Sequence, residues 1–140
     1  MQIKYIKLPI VNFGTKGKLS FMETNRDIPF NIKRIYYIYD IEDLNIIKDG
    51  HAHKTLKQVI FCLKGSFILE LDNGDEKKVI YLNMPHRGVV IRNRIWHNMK
   101  KFSKNTIILV IASDYYNEND YIRDYREFQK YINIDWEMVE

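Results

Sequence analysis

The chain has 140 residues, 46% of them apolar and 14% aromatic, which suffices for one domain with a hydrophobic core and without disulfides or a structural metal. Its one cysteine excludes an intrachain disulfide, and no stretch approaches the roughly 18 consecutive apolar residues of a membrane helix. The formal net charge of +4 comes from lysines and arginines spread along the chain without a zinc-finger, helix-turn-helix or RNA-binding signature, which favours a small anionic ligand over a nucleic acid. Because the N-terminus also lacks a signal-peptide pattern, we expect a cytoplasmic protein with neither a nucleic-acid nor a membrane partner.

Short apolar runs separated by turn residues fill the chain up to about residue 113. Their period-two alternation and their β-branched and aromatic content predict strands. The predicted strands cover residues 18–23, 32–40, 57–64, 66–72, 77–83, 88–93, 95–100 and 106–113. Eight or so short strands predict an all-β sandwich or barrel.

A hairpin is predicted at Asn73 and Gly74, because Asn-Gly tolerates the positive φ that both central residues of a two-residue turn need. The strands at 66–72 and 77–83 should therefore pair with each other.

After Ser113 the composition becomes polar and aromatic. Aromatic residues at spacings of three and four predict a helical segment over about residues 117–133, with one face packed on the core: Tyr121, Tyr125, Phe128 and Tyr131. With no repeat and no linker, we expect one domain over residues 1–140, with the barrel ending near residue 113.

The stretch "GHAHKTLKQVIFCLKG" places His51 and His53 two residues apart, so that in a strand both project from the same face. The spacing resembles the metal motifs of the cupin barrel, with Gln58 in place of the ligand glutamate and with His97 as the last histidine. A neutral amide is a poorer ligand for a divalent cation than a carboxylate, which favours a site without metal. Three histidines could still hold zinc, so a metal site stays open as the alternative.

Without metal, two imidazoles on one wall of a pocket can serve as a general acid and a general base, because histidine titrates near neutral pH. The alternative for His51 and His53 is a structural pair joined by hydrogen bonds.

The whole chain resembles a known family in the stretches "KGKLSFMETNRDIPFNIKRIYYIYD", "GHAHKTLKQVIFCLKGSF", "LDNG", "WHNM" and "LVIASDYYNENDYIRDY", which lie between about residues 14 and 129. The family is that of the dTDP-4-keto-6-deoxyglucose 3,4-ketoisomerases, cupins of dTDP-sugar biosynthesis. The resemblance implies an all-β, single-domain cupin with an RmlC-like jelly-roll barrel and a short C-terminal helical segment. It also implies a dTDP-linked 4-keto-6-deoxyhexose as substrate, no cofactor and a homodimer, with the N-terminal strand and the C-terminal aromatic residues as the expected interface.

The resemblance further implies roles for individual residues. His51 and His53 match the catalytic pair, with the order of acid and base undecided, and Tyr36 matches a tyrosine that lines the sugar pocket. If the strand at 32–40 is regular, Arg34 shares the face of Tyr36 and suits the pyrophosphate. The remaining expected substrate-binding residues are Lys16, Lys48, Gln58 and His97.

Two lysines depart from the family pattern, because many members have arginine at the positions of Lys16 and Lys48. Lysine keeps the charge but loses the planar fork of arginine. His97 favours a 3-keto-6-deoxygalactose product, whereas members that form the gluco product tend to carry arginine there and tyrosine at position 16. The competing hypotheses are a metal-dependent cupin enzyme, a dTDP-sugar 3,5-epimerase and a non-catalytic sugar-nucleotide binding cupin.

Overall fold

The computed structural model describes residues 1–134, apart from the side chain of Asp49, and consists mainly of antiparallel strands. The strands are β1 (Tyr5–Lys7), β2 (Ile10–Asn12), β3 (Lys18–Ser20), β4 (Arg34–Ile38), β5 (Lys48–His53), β6 (Gln58–Lys64), β7 (Phe67–Asp72), β8 (Lys77–Leu82), β9 (Arg87–Ile91), β10 (Trp96–Lys100), β11 (Ile107–Ala112) and β12 (Tyr121–Ile122). One α-helix, α1 (Tyr125–Ile132), follows them, and two single-turn 3-10 helices lie at Gly14–Lys16 and Glu118–Asp120. Within residues 1–134, no helix is long and apolar enough to cross a membrane.

Two five-stranded sheets pack face to face. Sheet A has the strand order β1-β9-β6-β11-β4, and sheet B has the order β12-β5-β10-β7-β8. The main core fills the space between the sheets and contains buried residues from both, among them Ile60, Val89 and Val110 of sheet A and Leu69, Leu71 and Met99 of sheet B. This is the all-β sandwich that the strand pattern predicts.

Sheet A is covered on its outer face as well. A second cluster there joins Val59, Phe61 and Ile111 of the sheet to Ile28 and Phe30 from the segment between β3 and β4. Consequently β6 is buried at five successive positions, Gln58 to Cys62, and does not alternate as predicted. A strand covered on both faces is apolar throughout, because neither set of side chains meets water.

The hairpin between β7 and β8 forms as predicted, but its turn lies one residue later. Asn73 and Glu76 are its corner residues, and the central pair is Gly74 and Asp75, with positive φ at Gly74 only. Glycine at the first central position is typical of a two-residue hairpin turn. The side chain of Asn73 accepts hydrogen bonds from the amides of Asp75 and Glu76, which explains its place before the turn.

Helix α1 begins later than the aromatic spacing predicts. Asp124 caps it, with its side chain accepting a hydrogen bond from the amide of Glu127. Phe128 is buried against the outer face of sheet B, where Trp96 and Tyr125 pack around it. Tyr121 is not on the helix but on β12, where it pairs with His53.

The short strands β2 and β3 form a separate two-stranded sheet. Apolar side chains on this sheet and beside it stay 41–53% exposed: Ile10, Val11, Phe13, Leu19 and Phe21. The hairpin therefore carries apolar surface that the described part of the chain leaves uncovered.

Candidate active site

Sheet A contributes Arg34, Tyr36 and Gln58 to the space between the sheets. Across β11, Ala112 lies opposite both Arg34 and Gln58, so these two side chains share one face. Tyr36, two residues after Arg34, lies on that face, and its hydroxyl accepts a hydrogen bond of 3.0 Å from Nε2 of Gln58. The regular strand expected at Arg34 and Tyr36 is present.

Sheet B contributes the histidines. His97 is the cross-strand partner of both His51 on β5 and Leu71 on β7, and Leu71 belongs to the core between the sheets. Cross-strand partners share a face, and so do residues i and i+2. All three histidines therefore face sheet A.

A β-bulge changes the position of Lys48. His51 pairs with His97, and Lys48 pairs with Met99. From the first pair to the second, β5 advances by three residues whereas β10 advances by only two. The extra residue brings Lys48, which is half-buried, opposite the inward-facing Met99 and so onto the face of His51.

The imidazole rings form a compact cluster. Ring centroids lie 5.0 Å apart for His51 and His53, 4.4 Å for His51 and His97, and 6.1 Å for His53 and His97. Tyr121 covers the first two, with its ring 4.3 Å from His53 and 5.2 Å from His51. Sequence reasoning placed Tyr121 on the helix and missed its contact with the cluster.

Asp120 is a second residue that the sequence did not single out. Its Oδ2 lies 3.2 Å from Nδ1 of His53, and its Oδ1 accepts hydrogen bonds of 2.9 Å and 2.7 Å from the amide and the hydroxyl of Thr55. The amide of Leu56 donates to Oδ2 at 3.2 Å. The carboxylate is thus fixed behind the histidine, on the segment that crosses from β11 to β12.

Two of the three clustered histidines, His53 and His97, are held neutral near pH 7. The pKa of His53 is lowered from 6.5 to about 4, mainly by burial and also by the neighbouring His51, while Asp120 acts in the opposite direction. Burial also holds the pKa of His97 well below its usual range, again with help from His51 and His53. Neutral imidazoles offer one donor and one acceptor nitrogen each, as proton transfer requires.

Arg34 has the features of an anion receptor. Its Nε and Nη2 are buried and have no hydrogen-bond partner among residues 1–134. Its guanidinium lies 5.3 Å from the ring of Tyr36 and 5.6 Å from that of Tyr116. Since a buried charge needs a counter-charge, this arrangement favours binding of an anionic group such as a phosphate.

Three other basic residues lie apart from the histidines: Lys16, an expected substrate-binding residue, and Arg92 and Arg94, which flank His97 in the sequence. Lys16 is exposed in the turn between β2 and β3, on the separate two-stranded sheet. Arg92 is exposed, and Arg94 donates to the backbone carbonyl of Ile132 at 3.3 Å. Neither arginine faces the cluster, although both flank His97 in the sequence.

A metal ion would fit the histidine cluster by position. One nitrogen atom each of His51, His53 and His97 lies within 4.8 Å of the others, and three imidazoles with a water form a ligand set that zinc accepts. The glutamate position of the motif is filled by Gln58, which donates to Tyr36 and brings no negative charge. The cluster therefore suits proton transfer and could also hold a divalent cation.

Comparison with known proteins assigns this site to a family. Residues 1–133 match the family described as FdtA: WxcM-like, C-terminal. The chain belongs to the FdtA family. The recognition made from the sequence motifs is confirmed, since a curated relative from Aneurinibacillus thermoaerophilus is a TDP-4-oxo-6-deoxy-alpha-D-glucose-3,4-oxoisomerase. It is 43% identical in an alignment of 127 positions that covers 88% of this chain and 91% of the relative.

Solved structures extend the FdtA comparison. A 3,4-ketoisomerase from Helicobacter canadensis is 42% identical, with a TM-score of 0.90 over 96% of this chain and 99% of that one. The H51N mutant of the 3,4-ketoisomerase QdtA from Thermoanaerobacterium thermosaccharolyticum, in complex with TDP-4-keto-6-deoxyglucose, is 38% identical, with a TM-score of 0.89 over 99% and 97% of the two chains.

The predicted barrel fold is also confirmed. The rmlC epimerase of Mycobacterium tuberculosis matches with a TM-score of 0.71 over 88% of this chain and 72% of that one, at 11% identity. At this identity the likeness concerns the fold alone. This chain and the epimerase thus share the cupin barrel fold.

Proposed function

We propose that this protein is a sugar-nucleotide 3,4-ketoisomerase that converts dTDP-4-keto-6-deoxy-D-glucose to a dTDP-3-keto-6-deoxyhexose. The observation that carries the proposal is the placement of His51 and His53 on one side of the space between the two sheets, with Arg34 and Tyr36 on the opposite side. The relatives within the FdtA family that carry this activity support the substrate class. The product would serve the synthesis of dTDP-3-amino-3,6-dideoxy sugars.

The reaction needs two proton carriers and no redox cofactor. A base breaks the C3–H bond beside the C4 ketone, and the electron pair forms the C3=C4 double bond of an enediolate whose charge lies on O4. O4 takes up a proton, which gives the neutral enediol. A proton then bonds to C4 while O3 loses its proton and the C3 ketone forms, so that in total protons leave C3 and O3 and join C4 and O4. His53 is neutral at pH 7, and its ring centroid lies 5.0 Å from that of His51, so the two imidazoles are close enough to share these transfers.

Substrate binding is assigned to the residues around the histidines. Arg34 would pair with the pyrophosphate, because its buried nitrogens need acceptors. Tyr36, oriented by Gln58, would contact the sugar, and Lys48 would add positive charge on the face of His51. Lys16, on the exposed hairpin, is proposed to contact substrate across the dimer described below.

We further propose that the product has the galacto configuration. His97 occupies the position that carries arginine in family members with the gluco product, and it packs directly on His51. The face from which C4 receives its proton decides the outcome. Proton couplings between H3 and H4 of the product, measured after enzymatic amination, would show a galacto or a gluco arrangement.

The decisive experiment is proton NMR in heavy water with chelator-treated protein and dTDP-4-keto-6-deoxyglucose. We expect a 3-keto sugar with deuterium at C4, and a rate loss of roughly 10²- to 10⁴-fold in His51→Asn and in His53→Asn. His86→Asn is the matched control, because His86 is the one histidine outside the cluster. It should keep the full rate.

Other outcomes identify the competing hypotheses. Turnover that returns only with added metal would establish a metal-dependent cupin enzyme. Deuterium at C3 and C5 with the ketone still at C4 would establish a 3,5-epimerase. Tight binding of an unchanged sugar nucleotide under every condition would establish a binding protein.

A homodimer acting in the cytoplasm completes the proposal. The apolar residues exposed on the β2–β3 hairpin, with Val11 and Leu19 paired across it, suit an interface between two copies of the chain. The aromatic residues of α1 pack within the chain instead, so we do not include them in the proposed interface. Light scattering after gel filtration should give a dimer for the wild type and for Val79→Asp, and a monomer for Val11→Asp.

A further inference from the structure

We propose that Asp120 is a positioning residue, one that fixes the Nδ1–H tautomer of His53 and so makes Nε2 of His53 a proton acceptor in the pocket. The catalytic consequence rests on the proposed isomerase function. The tautomer itself is a property of the protein without substrate.

The carboxylate of Asp120 is held in place by three hydrogen-bond donors besides His53. Its oxygens accept from the amide and the hydroxyl of Thr55 and from the amide of Leu56, at 2.9, 2.7 and 3.2 Å. The backbone carbonyl of Asp120 accepts from the amide of Lys54 at 2.9 Å. The side chain of Asp120 is only 13% exposed. The carboxylate therefore has a fixed place and does not have to be ordered during the reaction.

The imidazole of His53 lies against this carboxylate. A carboxylate accepts hydrogen bonds and cannot donate one when ionised, so the 3.2 Å contact places the proton of neutral His53 on Nδ1. Nε2 then carries the lone pair. That nitrogen is buried and has no hydrogen-bond partner among residues 1–134, as expected for an acceptor that awaits a substrate proton.

In the proposed reaction His53 carries a proton. His53 takes one of the two protons that leave the sugar, from C3 or from O3, and becomes an imidazolium with both nitrogens protonated. Its positive charge then faces the negative charge of Asp120. The proton bonds to C4 or O4 in the second half of the reaction, and His53 returns to the Nδ1–H tautomer without net gain or loss.

The test uses Asp120→Asn, with Asp114→Asn as the matched control. Asp114 is an exposed carboxylate that lines the same cavity and comes from the same crossing segment. In Asp120→Asn the amide oxygen should turn to the two donors of Thr55, which leaves its NH₂ group to donate to Nδ1 of His53. The variant should therefore hold the opposite tautomer, with the proton on Nε2.

Nitrogen NMR of ¹⁵N-histidine-labelled protein, freed of metal by a chelator, reads the tautomer directly. We expect a protonated Nδ1 on His53 in the wild type and in Asp114→Asn, and a protonated Nε2 in Asp120→Asn. The kcat of Asp120→Asn should fall by at least ~10²-fold with KM little changed, as expected for a wrong tautomer in a folded site.

The outcomes separate the two proposals. A wild-type enzyme with the proton on Nε2 of His53 overturns the role of Asp120, and this measurement needs no variant that could misfold. Full activity of Asp120→Asn with the opposite tautomer overturns it as well. An inactive wild type that nevertheless holds the Nδ1–H tautomer overturns the proposed function and leaves the tautomer assignment standing.

Discussion

His51 and His97 are direct cross-strand partners, and their ring centroids lie 4.4 Å apart. His97 is buried and neutral near pH 7, since burial lowers its pKa. His97 therefore acts mainly by holding the His51 ring in place, because it carries no charge near pH 7. Through this contact His97 supports the proposed catalytic pair, His51 and His53.

Replacing His97 tests this support. His97→Asn should lower kcat by ~10²-fold, because a shift of the His51 ring by about 1 Å has effects of that size. Initial rates of 3-keto sugar formation, compared with those of His86→Asn, give the answer. Equal rates in the two variants would show that His51 keeps its position without this neighbour.

Arg34 is expected to contribute mainly to substrate affinity. Arg34→Gln should raise KM by ~10- to 100-fold, which corresponds to the 1.5–3 kcal/mol of a hydrogen bond with a charged group. Arg34→Lys should recover part of the loss, because it restores charge without the fork. Titration calorimetry with TDP should follow the same order, and the exposed Arg26→Gln is the control. Unchanged TDP affinity in Arg34→Gln would contradict the role.

Gly50 is required by the close approach of Trp96. A Cβ atom at position 50 would overlap the indole ring, which is itself held between Tyr125 and Phe128 with ring centroids 5.2 Å and 5.6 Å away. Gly50→Ala should lower the free energy of unfolding by ~1–3 kcal/mol, the usual cost of overpacking. Urea denaturation measures it. In a Trp96→Leu background the same change should cost little, and an equal cost in both backgrounds would locate the strain elsewhere.

Stability should fall as the pH is lowered from 6.5 towards 4. The pKa of His53 is about 4 in the folded protein and 6.5 without burial, so within this window the unfolded chain binds the extra proton. The free energy of unfolding should therefore lose about 3 kcal/mol from His53 across the window and stay nearly constant above it. Denaturation at several pH values checks the slope, which His53→Asn should reduce. A slope of opposite sign would refute the buried neutral histidine.

The parts of the site that the sequence predicts are those set by local spacing. The common face of His51 and His53 follows from the two-residue period of a strand, and that of Arg34 and Tyr36 follows in the same way. The contact of Asp120 with His53 spans 67 residues and depends on the path of the segment after β11, which no local pattern records. The bulge that turns Lys48 inward is likewise visible only once β10 is paired with β5.

Tyr121 shows how a correct pattern can be assigned to the wrong element. Its spacing from Tyr125 and Phe128 suits a helix, but the N-cap at Asp124 starts the helix after it. An aspartate three residues before Glu127 is a helix-start signal, and it could have moved the predicted boundary. The strand β12, which precedes this N-cap, is only two residues long, and its pairing with β5 determines its structure.

Asp120 binds three successive backbone amides that directly follow β5, the strand that carries His51 and His53. Asp120 accepts from the amides of Lys54, Thr55 and Leu56, through its carbonyl and both carboxylate oxygens. The exchange of these amides with solvent deuterium should therefore report one common free energy of opening, that of the segment around Asp120. Because that opening also releases His53, mild heating should switch the enzyme off reversibly at temperatures where the two sheets are still folded.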